Sequence, residues 1–257
     1  MDRRRPPTAR GVIDVIDHPG AERPAEPAAT VLLIRDSIDS GLDVLMIRRG
    51  EVGSFGGMWA FPGGVIERED VPHGTAPDPL PAARAAAVRE TEEEVGLLLD
   101  PDGLSFWSHW LPDNDSPNRR FSTWFFLASA AAQLDSHDVT IDGAEVHDHR
   151  WITPSEVLDR HRAGELQLAP PTFVTLLQLA AHGSVHAATA ASPGERFATQ
   201  LVLGDDRRWC LWHGDVAYRD DPSAAAPAPA DLERPGPRHR LLLAESGWRY
   251  DRDVAGS

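Results

Sequence analysis

The stretch from Pro81 to Leu99, PAARAAAVRETEEEVGLLL, constrains this chain more than any other. Ala, Arg and Glu are the strongest helix formers, proline is tolerated in a first turn whose N–H groups lack partners anyway, and Gly96 stands where a helix would end. The pattern predicts one helix, with Glu90, Glu92, Glu93 and Glu94 crowded into its end. A helix advances about 100° per residue. With Glu90 at zero, Glu93 falls near about −60° and Glu94 near about +40°, whereas Glu92 falls near about 200° and points away. Three carboxylates therefore share one side, and Arg89 lies one turn before Glu93, where its guanidinium can orient that carboxylate. Such an arc is either a solvated acidic face or a site for a divalent cation with oxygen ligands, which would offset the repulsion among like charges.

Around this helix the pattern alternates between strand and helix signals. ATVLLIRD and LDVLMIRRG are β-rich runs separated by the turn-like SIDSG, a hairpin signal. A glycine-rich turn, GSFGGMWAFPGGVIE, follows, and then a Pro-rich and charged segment without periodicity that reads as a loop. LSFWSHWL, RRFSTWFFLA and HDHRWIT read as strands, PSEVLDRHRAG as a short helix opened by Pro154 and Ser155, and PPTFVTLLQLAAHG as a helix apolar enough to pack on a sheet. Residues 1–28 read as a flexible tail with at most a short ordered piece at Gly11–Asp17, 29–185 as the main domain, and 186–257 as a small β-rich extension of unassigned role.

Composition narrows the class. A formal charge of −15 and a pI near 5.1 disfavour a general binder of nucleic acid. All 25 basic residues are arginine, which removes lysine chemistry. The single cysteine, Cys210, forbids an intrachain disulfide and suits a reducing compartment, so a cytoplasmic location is expected. No stretch approaches the roughly 20 apolar residues that span a bilayer, so no membrane association is expected.

The glycine turn Pro62-Gly63-Gly64-Val65-Ile66-Glu67 precedes the acidic helix, and glycines let backbone oxygens approach an ion or a phosphate closely. From Gly64 to Leu97 the chain resembles the signature of the Nudix hydrolases: glycine, five residues, glutamate, seven residues, Arg-Glu, an apolar residue, any residue, Glu-Glu, any residue, glycine, apolar. Arg89, Glu90, Glu93, Glu94, Gly96 and Leu97 match it position by position. Three departures stand out: Thr91 occupies the apolar position, Asp70 replaces the early glutamate, and the 18 residues 71–88 stand where seven are usual. The resemblance implies an α/β fold, an α/β/α sandwich around a mixed sheet. It also implies hydrolysis of a phosphoanhydride in a nucleoside diphosphate linked to another group. By the same resemblance Glu90, Glu93 and Glu94 would bind Mg²⁺ or Mn²⁺, with an oxygen from Gly63 or Gly64, and Glu93, Glu94, Arg89 and Glu145 would serve catalysis. Glu145 enters because an acidic residue shortly before a W-I/V-T strand often faces the metals in similar proteins. His147 and His149 sit at strand spacing, but hard Mg²⁺ prefers oxygen. Arg48 with Arg49, and Arg119 with Arg120, are candidate phosphate contacts as well as ordinary surface charges.

FPGGVIE, AVRETEEEVGLLL, RRFSTWFFLA and LAPPTF together resemble the Nudix subgroup that includes the mammalian peroxisomal coenzyme A diphosphatase, from about residue 29 to 180. That similarity implies CoA or acyl-CoA as substrate. ADP-ribose, NADH, dinucleoside polyphosphates or a damaged nucleotide are the rivals, and a catalytically silent nucleotide sensor is the alternative of another class. A homodimer is left open.

Overall fold

The computed structural model describes residues 25–37, 41–51, 55–71, 79–113, 119–130, 139–141 and 143–253. The segment Gly11–Asp17 and most of the expected tail lie outside them. The first strand among the described residues is β1 (Glu26–Asp36), around which the sheet is organised. Ala29, Val31 and Leu33 face one layer and Leu32 and Ile34 the other, all at most 1% exposed. A strand buried on both faces reads as a continuous apolar run, which is why ATVLLI lacks alternation.

β1 pairs in parallel, from Glu26 to Ile34, with the whole of β6 (Phe121–Ser129). Its other edge is shared by two strands. β4 (Gly63–Val65) takes Ala28–Thr30 and β2 (Leu42–Arg49) takes Ile34–Asp36, both antiparallel. Between them the Pro62 carbonyl accepts from Val31 N at 2.9 Å and Thr30 Oγ1 at 2.6 Å. The expected β1–β2 hairpin is thus real but spans only three residue pairs, because β4 claims the rest of the edge. β4 and β3 (Trp59–Ala60) are short strands inside the segment that reads as a glycine-rich turn. β2 also pairs with β3 and, along its outer edge, with β7 (Val146–Ile152). Beyond β6 lies β5 (Ser105–Leu111), antiparallel to it.

Helix α1 (Pro79–Val95) covers one face of this mixed sheet. Ala83, Ala86 and Ala87, at helical spacing and fully buried, let it lie close to the strands. Thr91 is also fully buried, yet its hydroxyl donates to Ala87 O at 2.7 Å, so burial leaves no unmet polar group. Gly96 ends the helix at φ +71°, its N–H donating to Glu92 O at 2.9 Å. Because α1 starts at Pro79, ten of the 18 residues separating Asp70 from Arg89 are helical; residues 72–78 lie outside the described set. On the opposite face sit α2 (Pro154–Arg162) and α3 (Pro170–Ala180), packed through Val157, Leu158, Phe173, Leu176 and Leu179. This is an α/β/α sandwich. None of the described helices is long and apolar enough to cross a membrane.

After α4 (Val185–Ala190), β8 (Glu195–Ala198) joins the main sheet in parallel with β5. At Thr199 the chain leaves it for a second, antiparallel sheet, ordered β12 (Arg249–Arg252), β11 (His239–Ala244), β10 (Arg207–Leu211), β9 (Gln200–Leu203). The two sheets share a core. Trp110 stacks on Phe197 at 3.8 Å and meets Trp212 edge-on at 5.6 Å, and Cys210, Leu241 and Leu243 belong to the same buried cluster. The β-rich character expected of 186–257 is therefore present, and that segment closes the edge of the main sheet.

Candidate active site

The glycine turn and α1 meet face to face. Gly63 has φ +150°, and a Cβ there would lie 2.2 Å from Ala29 O and 2.5 Å from Thr30 Cα, inside the neighbouring backbone. Gly64 presents its Cα to Glu90; a Cβ would lie 2.4–2.5 Å from the carboxyl atoms. Glycine at 63 serves strand packing, and glycine at 64 serves the glutamate.

The four glutamates are disposed as the helical arc predicts. Glu94 is 3% exposed and its Oε2 accepts from Gly63 N at 2.8 Å. Glu90 is half-buried and Glu92 and Glu93 are both exposed; Glu93 differs from Glu92 in being held by Arg89. Arg89 ties the set together. Its Nη1 donates to Glu90 Oε1 and Glu93 Oε2, both at 2.9 Å, and its Nη2 to Val65 O at 3.0 Å. Its other contact is Asp70, engaged through Nε at 3.1 Å and Nη2 at 3.0 Å. Asp70 is 7% exposed and also accepts from Glu67 N at 2.7 Å across a short 3₁₀ turn. The shorter acid at the early-glutamate position is thus the anchor of the arginine.

Burial governs the charges. Desolvation pushes the Glu94 carboxyl up to about 7; Arg49 and the Gly63 N–H oppose it, and the charges of Glu90 and Glu145 add to it. Glu90 is likewise raised, chiefly by burial and against the pull of Arg89. Hydrogen bonding to Asp70 raises Arg89 further above its ordinary value against the effect of burial, so it stays charged. Glu94 Oε1 is buried and accepts no hydrogen bond from any described residue. Among the described residues no three acidic, His or Cys side chains are already drawn into a cage; arginines stand between them. Desolvated carboxylates on one arc, with an orphaned oxygen beside backbone oxygens of a glycine turn, suit a hard divalent cation.

The other expected contacts are distributed unevenly. Successive strand residues point to opposite faces. Arg49 accordingly turns toward α1, where its Nη2 lies 3.3 Å from Glu94 Oε1 and donates to Gly63 O. Arg48 turns to the α2 side, pairs with Glu51 at 2.9 Å and lines a cavity of about 460 Å³ together with Trp59, Asp148, Arg150 and Arg160. Arg119 is held by both oxygens of Glu26 at 2.8 and 2.6 Å, and Arg120 donates to Asp113 O at 3.4 Å, so neither is tied to the glutamates. Glu145 is exposed. Its backbone oxygen accepts from Gly50 N at 2.8 Å, which sets it beside the end of β2, and its charge reaches Glu94. The His147 ring packs near Gly50. Two relationships were not evident from the sequence: the Asp70–Arg89 anchor, hinted at only by spacing, and the contact of Arg49 with Glu94, for which no local signal exists.

Fold and site together define a Nudix protein: residues 24–170 match the NUDIX domain family, and the chain belongs to it. Nudix hydrolase 7 of Caenorhabditis elegans is 25% identical over 229 residues, 72% of each chain. The acyl-coenzyme A diphosphatase NUDT19 of Gallus gallus is 26% identical over 145 residues, 51% of this chain but 36% of that protein, so this chain matches about a third of its length. A crystal structure of a NUDIX hydrolase from Alicyclobacillus acidocaldarius superposes with a TM-score of 0.56 at 25% identity, covering 66% of this chain and 98% of that one. The protein is a Nudix hydrolase.

Proposed function

We propose that this hydrolase cleaves a phosphoanhydride bond in a nucleoside diphosphate linked to another moiety, using Mg²⁺ or Mn²⁺, with CoA or acyl-CoA as its substrate. The observation that carries the metal reading is Glu94: a carboxylate buried to 3% exposure, bonded to Gly63 N, with one oxygen unmet. Glu90, Glu93 and Glu94 would hold the cation, with a backbone oxygen of Gly63 or Gly64. When bound, a divalent cation supplies charge neutralisation of the diphosphate and a more acidic water. Arg89 keeps Glu90 and Glu93 aimed at a common point. A carboxylate that is not fully occupied as a ligand, on Glu93, Glu94 or Glu145, receives the proton of the attacking water. The similarity to the acyl-coenzyme A diphosphatases supports the CoA reading; ADP-ribose, NADH and dinucleoside polyphosphates are its rivals, and a silent sensor is the alternative of another class. A cytoplasmic site of action is in keeping with the single, buried Cys210.

A Mg²⁺-dependent screen of these diphosphates in ¹⁸O-water, with products identified by mass, tests the proposal. CoA should yield a nucleoside 3′,5′-bisphosphate and a phosphopantetheine, one of them carrying ¹⁸O. Turnover of ADP-ribose or NADH alone would replace the CoA reading, and no turnover of any diphosphate would favour the sensor.

A further inference from the structure

The two arginines beside the glutamates are held very differently. Arg89 engages all three of its nitrogens with Asp70, Val65, Glu90 and Glu93, and is fixed. Among the described residues Arg49 engages only Nη2, with Gly63 O and Glu94 Oε1, and its side chain remains 25% exposed. The Glu94 contact is an ion pair at 3.3 Å without hydrogen-bond geometry, which is why Oε1 is still unmet. Both atoms that Nη2 touches are oxygens a hard cation would take. Arg49 therefore compensates a buried carboxylate poorly and from an accessible direction.

We infer that Arg49 is a displaceable stand-in for the cation: it neutralises Glu94 in the metal-free protein, yields that oxygen when the metal binds, and then presents its guanidinium to the substrate diphosphate. The inference rests on the reading of Glu94 as a metal ligand and goes beyond it. It gives one side chain two successive partners and couples metal binding to diphosphate binding. A guanidinium freed at the rim of a metal site meets phosphate oxygens with the paired donors that match them.

The test uses the full chain and two probes. Binding of Mn²⁺ alone is followed by the loss of the free-ion EPR signal, and binding of adenosine α,β-methylene diphosphate at saturating Mg²⁺ by calorimetry. Arg49→Met should bind Mn²⁺ about tenfold more tightly than the native protein, within the usual range of coupling between sites. Arg150→Met, which removes the same charge from β7, should leave Mn²⁺ affinity unchanged. The diphosphate should bind Arg49→Met at least about tenfold more weakly, as expected for one lost charge-assisted hydrogen bond. Arg49→Gln, which keeps a donor for Gly63 O, provides the same comparison if the methionine variant does not fold. In either variant the rise in melting temperature on adding Mn²⁺ should exceed that of the native protein. If the native protein binds Mn²⁺ and both Arg49 variants bind it no more tightly, the stand-in role is wrong while the metal site stands. Tighter Mn²⁺ binding with unchanged diphosphate affinity would remove the second partner and overturn the coupling. If neither native nor variant protein binds Mn²⁺, the metal site itself falls, and this inference with it.

Discussion

Asp70 holds Arg89 through both carboxylate oxygens, at 3.1 and 3.0 Å, and through Arg89 it fixes the positions of Glu90 and Glu93. The pair is largely removed from water, with side chains 4% and 21% exposed. Asp70→Ala removes two charge-assisted hydrogen bonds from Arg89 but leaves it paired with Glu90 and Glu93, so the charge is not stranded. The variant should lower the unfolding free energy by about 1.5–3 kcal/mol in urea titrations. Its turnover, measured where it is still folded, should fall as well, because Arg89 no longer aims two carboxylates.

The neighbouring glycines should fail in different ways. Gly63→Ala drives a Cβ into Ala29 O and Thr30 Cα, backbone atoms that cannot retreat, and does so at φ +150°. It should be expressed poorly or melt at a markedly lower temperature. Gly64→Ala meets only the end of the Glu90 side chain, which can rotate away. That variant should keep its melting temperature and lose turnover and Mn²⁺ affinity together. Unchanged activity in Gly64→Ala would mean that the position of Glu90 against β4 is irrelevant to the chemistry.

Their contacts separate the glutamates into a testable series: Glu94 is buried against Gly63 N and Glu93 is held by Arg89. Glu93→Gln and Glu94→Gln should reduce turnover by about two to four orders of magnitude, the scale of losing a general base or a metal ligand. Glu92→Gln, on the solvent side, should leave kcat/KM within a factor of about two. Circular dichroism should show all three folded. Full activity in both Glu93→Gln and Glu94→Gln would remove the metal-site reading.

What could be read from the sequence here is what local periodicity encodes. The 3.6-residue repeat of α1 both predicts the helix and sorts Glu90, Glu93 and Glu94 from Glu92; Arg89 and Gly63 N engage the first three, although Glu93 is as exposed as Glu92. The α/β/α layering follows from a double-faced apolar β1 and the helices on either side. What could not be read depends on pairing across long separations. That β1 divides one edge between β2 and β4, that Arg119 meets Glu26 across 93 positions, and that β8 returns to the main sheet are decided by register and core packing. Strand alternation alone would send Arg48 and Arg49 to opposite faces. It does not say that one would meet Glu51 and the other Glu94.

The second sheet carries its own buried charge pair, and it predicts a pH response independent of the glutamate site. Asp215 and Arg240 have side chains 0% and 6% exposed, joined by two hydrogen bonds at 2.6 and 2.5 Å. Burial alone would raise the Asp215 carboxyl, but Arg240 and the N–H groups of Ala217 and His239 outweigh it and hold the carboxyl below its ordinary range. Burial also lowers the His239 imidazole, whose ring nitrogens sit at 2.8 Å from His213 O and 3.0 Å from Tyr250 Oη. Both groups bind protons more readily in the unfolded chain, so both favour unfolding as pH falls. The His239 contribution is complete above about pH 6.5 and fades below it, and that of Asp215 is complete above about pH 4 and fades below that. The Glu94 carboxyl, raised to about 7, acts in the opposite direction between about pH 7 and its unfolded value near about 4.5, so the two-stage decline on acidification should be seen in urea on a Glu94→Gln background, where that opposing contribution is absent. Asp215→Asn should remove much of the second stage and, at pH 7, cost about 3–5 kcal/mol by leaving Arg240 buried and unpaired. The double variant Asp215→Leu/Arg240→Met should recover part of that loss, because a buried pair replaced by apolar groups of similar volume is often close to neutral. A double variant no more stable than Asp215→Asn would mean that the hydrogen bonds from Asp215 to Ala217 and His239, rather than its pairing with Arg240, hold this loop.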